Sequence, residues 1–174
     1  LLSSAVKAGD GGAEIGGVLY AVRHSVYIDA VYVDQWNPEK WEKLSDVPDL
    51  VDNDFMAADV ALDPASGAVY GCFHNVNKNG FEFGTIDYEA CKREKVAAVD
   101  EWSALAADAS GVLYAIGMDG MLSRVDKATG TLTAVGPTGV VPAANGTAAI
   151  EPRSGRMFWC TTVAGGKAGL YEVD

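Results

Sequence analysis

The sequence predicts an all-β protein, an array of about four small, four-stranded antiparallel sheets along one domain of 174 residues. Three observations carry this. First, a turn-and-strand segment recurs as Leu-Asp-Pro-Ala-Ser-Gly-Ala-Val-Tyr-Gly-Cys over 62–72, Ala-Asp-Ala-Ser-Gly-Val-Leu-Tyr-Ala-Ile over 107–116, and Ile-Glu-Pro-Arg-Ser-Gly-Arg-Met-Phe-Trp-Cys over 150–160. Its glycines, Gly67, Gly111 and Gly155, stand 44 residues apart twice over, and a fixed period of this size marks a repeat architecture. Second, an alternating strand ending in aspartate recurs four times, at Asp34, Asp87, Asp126 and Asp174. Third, the apolar runs are short, β-branched or aromatic, and bounded by Gly, Asp, Asn or Pro, as strands are.

The first unit has its own glycine strand, Gly17-Val18-Leu19-Tyr20-Ala21-Val22, placed 50 residues before Gly67. The third unit divides most cleanly: strand a over Ser103 to Ala107, b over Val112 to Gly117, c over Met121 to Asp126 and d over Thr131 to Val135. Its a–b connection, Asp108-Ala109-Ser110-Gly111, is a tight turn whose Asp bonds nearby backbone and whose Gly takes positive φ; Asp126 to Gly130 repeats that chemistry between c and d. Glu89 to Val96 is the nearest approach to a helix, and strand pairing explains it equally well. The units fall at 8–50, 51–98, 99–142 and 143–174.

The ends are irregular. The fourth unit stops at the equivalent of Asp126, without a strand d, whereas Ser4-Ala5-Val6 resembles the d segments Thr133-Ala134-Val135 and Ala97-Ala98-Val99. Two expectations stand side by side: residues 1–7 close the last sheet of a four-membered ring, or the chain is an incomplete or half array belonging to a larger one.

Four-stranded units repeating at this period suit a β-propeller, whose sheets bury their faces against one another. The chain resembles propeller repeats of the PQQ-like, YVTN-like and WD40-like kind. The resemblance rests on the Ser-Gly turns with their aromatic strand (Tyr70, Tyr114, Phe158) and on Val125-Asp126-Lys127-Ala128-Thr129-Gly130. It departs from them in having no Trp-Asp dipeptide closing a unit and no Ala-Trp-Gly-type quinone-docking motif.

Composition narrows the function. With 13 basic and 24 acidic side chains the net charge is -11, which disfavours nucleic acid. No apolar run is long enough for a membrane span, and no basic, apolar leader is recognisable at Leu1. Cys72 and Cys160 occupy one repeat position two residues beyond the aromatic, and both are expected in the core.

In such an array the d–a and b–c loops open on one face around the axis. Projected there, His24, His74, Asp54, Asp100, Glu101, Trp102 and Asn145 form a polar, acidic and partly aromatic rim, the candidate ligand site. His24 and His74 each stand four residues after the strand-b aromatic, but neighbouring units separate them too widely for a shared metal, so no metal and no cofactor is expected. Trp36 and Trp41 flank the first c–d turn and are candidate partner contacts. GxSxG, P-loop and GxGxxG motifs do not occur. The expected function is a non-catalytic binding or scaffold module for a protein or carbohydrate partner, outside the cytoplasm, with a homodimer or the rest of a larger propeller as further partners. The alternative is a propeller hydrolase of the lactonase or glycoside-active kind using rim acids and histidines.

Overall fold

The computed structural model describes the backbone of residues 12–15, 18–25, 30–37, 42–47, 55–75, 77–87, 90 and 92–174, and within these the side chains from residue 57 onward. These residues form strands and turns, with no helix among them, and so none long and apolar enough to cross a membrane. The strands make four sheets. The first orders β1 (Gly12–Ile15), β2 (Val18–Ser25), β3 (Ala30–Asn37) and β4 (Glu42–Val47); the second β5 (Phe55–Leu62), β6 (Val69–Asn75), β7 (Gly80–Asp87) and β8 (Lys92–Val99). The third orders β9 (Trp102–Ala107), β10 (Leu113–Gly117), β11 (Met121–Val125) and β12 (Leu132–Pro137), and the fourth β13 (Thr147–Ile150), β14 (Met157–Val163) and β15 (Lys167–Val173). Every pairing is antiparallel between strands consecutive in the chain, so each sheet is a meander built from local contacts.

The first strand of each sheet is the inner one. β1 lies against β5, β5 against β9, and β9 against β13, so the sheets follow one another about a common axis as the blades of a propeller do, in an array that does not close among the described residues. Strands a to d of the third unit lie within about two residues of their expected bounds, and of the Glu89 to Val96 segment residues 92–96 belong to strand β8.

Turn chemistry sets the spacing. In the third sheet Asp108 Oδ1 accepts the Ser110 and Val112 amides, both at 2.9 Å, and Gly111 sits at φ +85°. Asp126 Oδ1 accepts the Ala128 and Thr129 amides in the same way, with Gly130 at φ +70°. Side-chain acceptors thus replace the ladder where the chain reverses.

Among the described side chains, two apolar layers join the second, third and fourth sheets. Cys72 and Phe83 of the second sheet pack against Trp102, Leu105, Leu113 and Val125 of the third. Ala104, Ala106, Ile116 and Leu122, from the opposite face of the third sheet, pack on Met157 and Trp159 of the fourth. Each fully buried residue of this size stabilises by roughly 1.5–3 kcal/mol relative to exposure.

One core expectation fails. Cys72 is buried, but Cys160, at the same repeat position, is exposed. The equivalent Ile116 faces the fourth sheet, whereas Cys160 is on the fourth sheet's far face, beside its register partner Leu170, which is 71% exposed. Burial at this position is conferred by the following sheet and not by the strand itself.

Candidate functional site

A cleft of about 330 Å³ opens where loops of the second, third and fourth sheets meet, lined by Ala57, Ala58, His74, Asn79, Phe81, Glu101 and Asn145. The sequence explains each wall. On the inner strand β5 the register with β6 shifts between Ala57 and Asp59, leaving Ala58 as a bulge residue, and two methyl side chains leave room above it.

The second wall is the β6–β7 turn. Asn75 is buried, and its Oδ1 accepts the Asn77 amide at 3.1 Å and the Lys78 amide at 2.8 Å, an Asx-type closure of the loop. Asn79 takes φ +48°, a left-handed conformation that Asn tolerates, and returns the chain to Gly80. His74 and Phe81 thereby become cross-strand partners with rings stacked at 4.8 Å, and the His74 imidazole Nε2 lies 3.4 Å from Asn79 Oδ1.

The remaining walls come from loops entering inner strands. Glu101 precedes Trp102, whose ring is buried 5.4 Å from Phe83 and anchors the loop, leaving Glu101 half-buried at the cleft. Asn145 is held by its neighbours: the Ala144 carbonyl accepts the Thr161 hydroxyl at 3.2 Å, and the Gly146 amide donates to the Ser103 carbonyl at 2.8 Å. A side chain at Gly146 would collide with the Cys160 carbonyl and the Trp159 indole nitrogen.

Beneath the cleft lies a polar joint that the sequence reading missed. Asp59 is buried on β5, where its Oδ2 accepts the Leu105 amide of β9 at 2.9 Å and the Ala148 amide of β13 at 3.2 Å. Its Oδ1 accepts the Val60 amide at 3.0 Å and the Thr147 hydroxyl at 3.1 Å. One carboxylate thus ties together the inner strands of three sheets. Burial pushes its pKa up to about 7, against the downward pull of the Leu105, Ala148 and Val60 amides and the Thr147 hydroxyl. The neutral acid also fits this setting, since Oδ1–H can donate to Thr147 Oγ1 while the other oxygen keeps its two amide donors. Asp59, Ser103 and Thr147 stand 44 residues apart in sequence, so a column of polar residues in otherwise apolar inner strands was the available signal.

Of the rim residues expected from sequence, His74, Glu101 and Asn145 come together at the cleft. Asp100 is exposed beside it and Trp102 is core. Asp54 and Trp41 lie outside the described residues, as does the segment 1–7. His24 is on β2 and Trp36 on β3, with side chains outside the described set. Ala57, Ala58 and Phe81 were not anticipated, being buried or half-buried apolar strand residues that the bulge and the ring stacking bring to the cleft. Among the described residues, no three His, Cys, Asp or Glu side chains gather as metal donors.

No known family model matches the chain, and no curated protein matches it in sequence. Among solved structures it is similar to TolB from Acinetobacter baumannii, at 8% identity and a TM-score of 0.54, over 91% of this chain and 38% of that one. The extracellular domain of BT4673 from B. thetaiotaomicron (11% identity, TM-score 0.48, 92% of this chain and 26% of that one) and the computationally designed Ika8 protein (12% identity, TM-score 0.43, 95% and 46%) also match. The likeness to TolB, a β-propeller protein, bears on fold alone, and this chain spans well under half of its length. Sheet order and this likeness together define an all-β protein of propeller type.

Proposed function

We propose that the chain is a non-catalytic binding module of propeller type, which presents the three-sheet cleft to a protein or carbohydrate ligand. The observation that carries this is the convergence of His74 at the end of β6 with Glu101 and Asn145 from two separate loops, on one concave site with an apolar floor and a few polar groups. Each wall is braced from behind, by Asn75, by Trp102 and by the Ala144 and Gly146 contacts, which is the preorganisation a binding site needs. Among the described residues Glu101 is the one acid lining the cleft, whereas glycoside hydrolysis asks for two carboxyl groups across the sugar. A setting outside the cytoplasm belongs to this reading and rests on composition. The experiment is a screen of immobilised peptides and glycans, repeated with Ala58→Trp to fill the cleft. Retained ligands should be lost from the variant, and ligands held equally by both proteins would refute the cleft as the binding site.

A further inference from the structure

Resting on the reading of this cleft as a ligand site, we infer that its occupant is a basic side chain of a partner protein, a lysine whose ε-ammonium pairs with Glu101. Charge decides the class. The lining contains Glu101 and neither Lys nor Arg, and among the described residues no cation pairs with Glu101. A half-buried carboxylate without a cation has lost part of its hydration and gained no counter-charge, so an arriving ammonium is favoured where an anion would be repelled. The net charge of -11 adds a long-range field that draws cations and repels acidic ligands.

The other walls fit the rest of a lysine. Ala57 and Ala58 offer an apolar surface for its methylene stem, and the rings of Phe81 and His74 are stacked at the same site, where an aromatic face attracts an ammonium within about 6 Å of its centroid. The Asn145 side chain, exposed at the mouth, offers a carbonyl to the ammonium or to partner backbone. The cleft volume of about 330 Å³ accommodates one such side chain and not a folded domain, so the partner inserts a single residue.

The test is a backbone-amide NMR titration with Nα-acetyl-lysine N-methylamide, alongside its norleucine counterpart and methyl glucoside. The lysine probe should shift the amides of Ala58, Phe81, Glu101 and Asn145. The norleucine probe should bind at least about tenfold more weakly, as should the lysine probe to Glu101→Gln, and salt should weaken the lysine interaction. An unchanged spectrum away from the cleft establishes that Glu101→Gln is folded. Equal affinity for lysine and norleucine, or full affinity in Glu101→Gln, overturns the inference. Shifts caused by the glucoside and not by lysine overturn it while leaving the cleft a ligand site. Silence from all three probes overturns it too, and together with an empty library screen removes the cleft reading as well.

Discussion

Thr147 donates its hydroxyl to Asp59 at 3.1 Å across 88 residues of chain, twice the repeat period, so equivalent positions of two non-neighbouring sheets meet at the axis. With the Leu105 and Ala148 amides on the other oxygen, this joint fixes how closely three inner strands approach. Its pH dependence follows from its burial. An acid whose pKa rises from 3.8 unfolded to about 7 folded holds its proton more tightly in the native state. Its contribution is complete below about pH 4 and is lost as pH rises through about 7, at roughly 1 kcal/mol per pH unit within that window. Urea midpoints compared near pH 5 and pH 8 should show this slope in the wild type and a flatter one in Asp59→Asn. The same slope in both proteins would mean that Asp59 is not the titrating group.

At the opposite turns, Lys127 of the third sheet reaches Asp63 of the second at 2.7 Å, and the Asp63 side chain is 1% exposed. Burial pushes the Asp63 carboxyl up, but the hydrogen bonds from Lys127, Ser66 and Ala65 and the lysine charge outweigh it and hold the pKa at about 2. This contribution is present above pH 3.8 and is lost as pH falls towards 2, opposite in sign to that of Asp59. Lys127→Met should cost about 1–3 kcal/mol at neutral pH by stranding a buried carboxylate. The gap from wild type should narrow near pH 2, and a gap independent of pH would show that the ion pair is not its source.

Gly111 and Gly67 both adopt positive φ, at +85° and +74°, yet they are not equivalent. A Cβ on Gly67 meets nothing within 4 Å, whereas one on Gly111 would press on Asp63 Oδ1 and stand 2.9 Å from the Ala65 methyl. Gly67→Ala should therefore cost only backbone strain, about 1 kcal/mol. Gly111→Ala should cost at least about 1 kcal/mol more, because it also displaces the partner of Lys127. Equal denaturation midpoints for the two variants would contradict the packing of these turns against each other.

Thiol labelling separates Cys72 from Cys160, two of the three cysteines of the chain. Cys160 is exposed, whereas Cys72 is buried and burial pushes its thiol up to about 12, so it is both shielded and protonated at ordinary pH. Maleimide near pH 7.5, read by peptide mass spectrometry, should modify Cys160 and spare Cys72 until denaturant is added. Protection of Cys160 in the native protein would show that another sheet covers the far face of the fourth.

Periodicity made the fold legible, since turn residues such as Asp108 with Gly111 act within four or five residues and depend little on what packs around them. The same logic placed His74, Glu101 and Asn145 on one face, because loop order determines the end of a blade from which a residue projects. It could not tell Glu101 from Trp102, adjacent residues of which one lines the cleft and the other is core, since that depends on where β9 begins. It assigned Cys160 to the core because equivalence in sequence carries no information about whether a following sheet is present. Asp59 escaped notice because a lone acid in an apolar strand reads as a surface residue until its three-sheet set of donors is seen.

Engagement of three sheets by one ligand at this cleft can be read by amide chemical-shift mapping with a ligand retained in the screen. Ala58 and Phe81 of the second sheet, Glu101 on the loop into the third and Asn145 on the loop into the fourth should shift together along one saturation curve. Shifts confined to the β15 edge or to the far face around Cys160 and Leu170, with those four amides unmoved, would contradict it.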